Sequence, residues 1–208
     1  MFKPLPTIIQ GGMGAGVSNW RLARAVSSLG QLGVVSGAGL DQILARRLQN
    51  GDPEGHVRRA LDHFPFPVMR QRILDTFFLP EGKAPKARYK NSGMHLFEGR
   101  RRPQEMCIAA NFVEVFLARE GHRHPVGINY LEKIQLPTLP SLYGAILAGV
   151  SWVLMGAGIP RTIPGLLDQL AEGQPVELKL NVIGADRGEA FFNRFDPRTF
   201  FPDGPPSL

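Results

Sequence analysis

The stretch IIQGGMGAGVSNW, residues 8–20, places four glycines within six positions between a short apolar run and the start of a helical pattern. Backbone without Cβ leaves main-chain N–H groups open to close approach, so a flat or phosphorylated ligand is the chemistry such a turn serves. Spacing excludes two phosphate motifs. A dinucleotide fingerprint needs glycines at the first, third and sixth positions of the turn, and no frame between Gly11 and Asn19 supplies them. A P-loop needs Gly-Lys-Ser/Thr, and residues 7–20 contain no lysine. Other reactive types are sparse. Cys107 is the one cysteine, which excludes an internal disulfide and any multi-cysteine zinc or iron–sulfur site; it reads as a small apolar side chain in a helix. The five histidines are His56, His63, His95, His122 and His124; the first three fall within residues 50–121 and the last two precede residues 125–129, away from the Gly-Ala-Gly turns, so each reads as a surface histidine.

The elements around these turns follow one scheme. Thr7, Ile8, Ile9 and Gln10 read as a short buried strand, Ser18 as the N-cap of a helix ending at Gly30, and Leu22, Val26 and Leu29 as its apolar stripe. LGVVSGAGLD then repeats the arrangement, with residues 32–35 as strand and Asp41 ahead of a helical ILARRLQ. VSWVLMGAGIP does so again, with residues 151–155 as strand. Gly-Ala-Gly therefore occurs three times, at residues 14–16, 37–39 and 156–158, each just after an apolar run. Two more strands fit: residues 125–129, after a helix that carries Met106, Ala109, Val113 and Phe116 on one face, and residues 176–182, after a helix over residues 165–170. Strands separated by helices imply parallel pairing with right-handed crossovers, hence an α/β fold of about five βα units. Three glycine turns at one end of parallel strands match the place where α/β barrels build sites, although each turn taken alone is better read as a tight βα connection. Residues 50–121 interrupt the rhythm, with a helix near residues 57–61 and Pro65 and Pro67 flanking Phe66. They read as an insertion above one end of the sheet, a lid or an interface element.

Composition bounds the partners. With 208 residues, 43% hydrophobic, the chain can bury the core of one domain, residues 1–208. No signal pattern opens it, and its most apolar window, residues 145–159, is too short for a bilayer, so a cytoplasmic location without membrane contact is expected. The net charge of +6 gathers in residues 83–102, KAPKARYKNSGMHLFEGRRR, where turn formers interrupt the charges. That pattern favours a solvated or mobile loop over a nucleic-acid surface.

Three long runs carry a resemblance. PTIIQGGMGAGVSNWRLARAVSSLGQLGVVSG, PVGINYLEKIQLPTLPSLYGAILAGVSWVLMGAGIPRTIPGLLDQLAEGQPVELKL and RFDPRTFFP resemble the N-terminal part of the nitronate monooxygenase family, formerly 2-nitropropane dioxygenases, over nearly the whole chain except the basic loop. The resemblance implies a TIM (β/α)8 barrel holding FMN without covalent attachment, and oxidation of alkyl nitronates with O2. It implies that Gly11, Gly12 and Met13 lie in the loop whose backbone meets the flavin, that Asn129 contacts FMN, and that Lys179 on the fifth strand stands near it. An amide at residue 129 suits a flavin because it both donates and accepts; the other reading is that Asn129 caps a turn beginning at Tyr130.

The chain also departs from the family. The family's catalytic histidine lies in a Gly-His motif after the sixth strand, and no sixth strand followed by that motif is recognisable here, so no catalytic residue is assigned; no metal site is expected. Five strands make an incomplete barrel, expected as a fragment or as a chain completed by a second copy or another polypeptide, and open strand edges favour such pairing. A flavin-dependent enoyl reductase of fatty-acid or polyketide synthesis is the alternative enzyme within the same fold. An inert truncated barrel is the non-catalytic alternative.

Overall fold

The computed structural model describes residues 5–97 and 99–201. Residues 1–4, Glu98 in the basic loop and Pro202 at the end of RFDPRTFFP lie outside the described residues. The fold is mixed α/β. Its centre is a curled, parallel four-stranded sheet of β1 (Ile9–Gln10), β2 (Leu32–Ser36), β3 (Val126–Leu131) and β4 (Trp152–Gly156), in that spatial order, consistent with an incomplete α/β barrel. Asn129 pairs with Ser36 on one side and Leu154 on the other, which fixes the register at the C-terminal ends of the strands.

The two faces of the sheet differ in kind. Val35, Ile128 and Tyr130 point into the helix layer and belong to the main core. Alternation places Gly127 and Asn129 on the concave face, where Val34 and Leu154 crowd the space a Cβ on Gly127 would need, each at 3.1 Å. The first strand is short but not buried as expected: Ile8 and Ile9 are 62% and 55% exposed because β1 is the outer strand of the sheet.

Helix α1 (Trp20–Ser28) buries Trp20, Ala23 and Ser27 rather than the expected stripe, leaving Leu22 and Leu29 exposed and Val26 half-buried. The reason is a close approach. Gly33 of β2 lies so near the Ala23 carbonyl that a Cβ would overlap it, so only the small-residue face of the helix fits. Ser27 Oγ adds specificity by donating to Pro125 O at 2.8 Å and accepting from Gly33 N. The N-cap is Asn19, whose Oδ1 accepts from Arg21 N and Leu22 N, while Ser18 is engaged elsewhere.

The segment between β2 and β3 is built into the core. It holds α2 (Leu40–Gln49), α3 (His56–Asp62), α4 (Pro67–Phe77) and α5 (Arg101–Arg119). Helix α4 was not foreseen; Pro67 occupies its first turn, where a missing N–H leaves no bond unmade. Helix α5 corrects the picture of an insertion above the sheet. It packs against α1, α2 and α6 (Thr138–Leu147), and Ile108, Val115 and Leu117 are fully buried within it. Glu114 of α5 ties three helices together, accepting from Trp20 N at the start of α1 and pairing with Arg47 of α2.

The fifth strand also departs from expectation. After α7 (Ile163–Ala171), β5 (Val176–Leu180) pairs antiparallel with β6 (Phe191–Phe195) in a separate two-stranded sheet. Asn193 Nδ2 donates to Gln135 O and Leu136 O, docking this hairpin on the loop after β3, and a 3₁₀ turn (Pro197–Phe200) follows. The parallel sheet therefore has four strands among the described residues.

Candidate functional site at the strand ends

Parallel pairing brings the glycine turns to one rim. The loop after β1 is closed by Ser18, whose buried Oγ donates to Gly11 O at 3.1 Å and accepts from Met13 N at 3.0 Å. This is why Ser18 does not cap α1. Gly12 packs against β2, since a Cβ there would sit 2.6 Å from Val35 O. Gly37 is equally constrained, with the Tyr130 ring in the way, and its N–H donates to Asn129 O at 2.8 Å. Gly11 and Gly156 are open instead: a Cβ on Gly11 would meet only Met13 Cγ at 3.9 Å, and one on Gly156 nothing within 4 Å. Beyond Gly156, Ala157 holds a left-handed φ of 59°, a strained corner for a residue with a Cβ.

Asn129 joins the turns. It lies within β3, which runs on through Tyr130 to Leu131, so it caps no turn. Half-buried, its Nδ2 donates to Gly12 O at 2.8 Å and lies 3.8 Å from Met13 Sδ, while Oδ1 takes no hydrogen bond among the described residues. Gly11, Gly12, Met13 and Asn129 are thus brought together. Lys179 is not: it is exposed on β5, opposite Phe192, and β5 does not belong to the parallel sheet.

Next to this rim, at the ends of β2 and β3, lies a cavity of 260 Å³ lined by residues 37–41, His95, Cys107, Asn111 and Tyr130 among others. Asp41 Oδ2 accepts from Ser92 Oγ at 2.7 Å and lies 3.4 Å from His95 Nε2. Burial works against the Asp41 charge most strongly, but His95 and Ser92 together outweigh it and hold the carboxyl below its usual range. An imidazole backed by an ionised carboxylate, facing a cavity, can accept a proton. On the opposite wall the Tyr130 hydroxyl lies 2.8 Å from Asn111 Oδ1 and 3.1 Å from Ser141 O, and burial raises its pKa well above the ordinary phenol value. Burial also pushes the Cys107 thiol up to about 12, with Ser141 Oγ at 2.9 Å opposing only part of that shift. A neutral thiol is a poor nucleophile, so Cys107 is packing, as read from sequence.

Asp41, Ser92, His95 and Tyr130 are the residues that sequence reasoning missed. Asp41 carried a signal, a carboxylate two positions past a Gly-Ala-Gly turn; His95 sits in an aperiodic segment and carried none. His122 and His124 stack on each other before β3, and His124 approaches Gly30 before β2, which puts them at the opposite end of the strands as expected. No helix among the described residues is long and apolar enough to cross a membrane. Neither a family model, nor a curated protein, nor a solved structure matches this chain.

Proposed function

We propose that the chain is an FMN-dependent oxidoreductase of the nitronate monooxygenase type, built on the plan of a (β/α)8 barrel. The observation that carries this reading is the bond from Asn129 Nδ2 to Gly12 O, which ties the first glycine turn to β3 at a rim where Gly11 and Gly156 keep open faces. The residues fit a flat ring. Gly11, Gly12 and Met13 offer backbone and a flexible thioether, and Asn129 Oδ1 offers a free acceptor for a ring N–H. Bound there, FMN would supply the redox chemistry by which an alkyl nitronate is oxidised with O2.

This chain's own part is placement. Ser18 fixes the Gly11–Met13 corner, Asn129 ties it to β3, and Gly12 and Gly37 permit strand and turn to close without side-chain obstruction. The His95–Asp41 pair gives the neighbouring cavity a group that can take up a proton. Lys179, on its exposed hairpin, has no part in this arrangement. The test is to incubate the chain with FMN, separate it by gel filtration, and assay the eluted protein. Co-eluting flavin absorbance and O2 consumption with an alkyl nitronate support the reading. NADPH oxidation with an enoyl thioester, and none with nitronate, would assign the chain to enoyl reduction instead, and colourless protein would remove the flavin from it.

A further inference from the structure

A second cavity, of 510 Å³, lies between α4, residues 90–94 and the first turn of α5. Its volume falls inside the range of about 300–1,000 Å³ common to small-molecule sites. The basic segment that forms one wall was expected to be solvated or mobile, but it is pinned to α2. Lys90 N donates to Gln49 Oε1 at 2.7 Å, Gln49 Nε2 donates back to Lys90 O at 2.9 Å, and Gln42 Nε2 donates to Ser92 Oγ at 2.6 Å. The backbone that carries Lys90 is therefore held in place.

Five cationic side chains, Arg72, Lys90, Arg100, Arg101 and Arg102, surround the cavity with one carboxylate, Glu105. Glu105 is buried and committed: Arg72 and Arg101 both donate to it. Lys90, Arg100 and Arg102 consequently have no carboxylate partner among the described residues. The floor is of opposite character, since Ile73, Phe77 and Met106 are all buried members of the main core, and Lys90 Nζ sits 5.7 Å from the Phe77 ring centroid. Positive charge around a concave apolar surface concentrates field on whatever enters, and arginine forks match carboxylate and phosphate oxygens.

We propose that this cleft binds an anionic amphiphile, its carboxylate or phosphate head held by Lys90, Arg100 and Arg102 and its hydrocarbon chain laid over Phe77 and Ile73. The proposal goes beyond the flavin reading and does not depend on it. Calorimetric titration of the full chain with dodecanoate, dodecyl phosphate, dodecanol and inorganic phosphate, all below micelle-forming concentrations, tests it. One-to-one binding of dodecanoate or dodecyl phosphate is expected, weakened by added salt, with dodecanol and inorganic phosphate at least about tenfold weaker; the tighter of the two amphiphiles identifies the head group. The double variant Lys90→Gln/Arg102→Gln alters exposed side chains only, so it should keep its melting temperature while binding about tenfold more weakly. Dodecanol binding as tightly as dodecanoate, inorganic phosphate binding as tightly as dodecyl phosphate, or an unaltered affinity in the double variant would each overturn the proposal.

Discussion

Asn129 concentrates the functional reading in one side chain: Nδ2 holds the first glycine turn and Oδ1 is left as an acceptor at the rim. Asn129→Leu should lose both, and FMN retention should weaken by about tenfold or more, with the circular dichroism spectrum unchanged. Asp41 gives a pH prediction. Its folded pKa lies below the unfolded value near 3.8, so its contribution to stability is present above that value and is lost as pH falls through the folded one. Asp41→Asn should therefore flatten the acid limb of a stability-against-pH profile. Cys107 has the reverse sign. Its thiol stays neutral up to about 12, so the fold keeps this contribution below pH 9 and loses it as pH rises further; labelling by a thiol reagent at pH 8 should follow unfolding. Fast labelling of native protein at that pH would contradict the burial of Cys107. At this scale the sequence was half legible: the turn residues and Asn129 could be named, whereas the His95–Asp41–Ser92 cluster joins segments about 50 residues apart that no periodicity links.

Among the elements, the helix layer makes the most specific demands. Gly144 of α6 lies so close to the Ile108 carbonyl of α5 that a Cβ would overlap it, so Gly144→Ala should destabilise by about 2 kcal/mol. Gly165 of α7 has nothing within 4 Å of an added Cβ, and Gly165→Ala should stabilise by roughly 0.5–1 kcal/mol, both measured by urea denaturation. Glu114→Gln removes the charge that pairs with Arg47 while keeping a possible acceptor for Trp20 N, and a loss of about 2 kcal/mol is expected. Strand–glycine–helix units were readable because apolar runs, turns and helical spacing agree locally. The buried face of α1 was not, because the choice between its leucines and its small residues is set by Gly33 on a different element. The pairing of β5 was also hidden: an alternating strand suits either sheet, and only β6 and the docking through Asn193 decide it.

For the whole molecule, four parallel strands curl so that three glycine turns and Asn129 share one end, while α5 and its neighbours fill the convex side. This much of the plan could be read from the order of strands and helices. The placement of residues 50–121 could not, because α5 is buried nearly all round and its core-facing side cannot be told from a stripe. The rim and the cationic cleft are built from different segments, so flavin binding and amphiphile binding should respond to separate substitutions. The most direct measurement is FMN titration of the unmodified chain beside Asn129→Leu, followed by flavin fluorescence and co-elution. Saturable, stoichiometric quenching in the unmodified chain that is lost in the variant is the predicted result. Equal binding by both, or none by either, would contradict the assignment of this rim to a flavin.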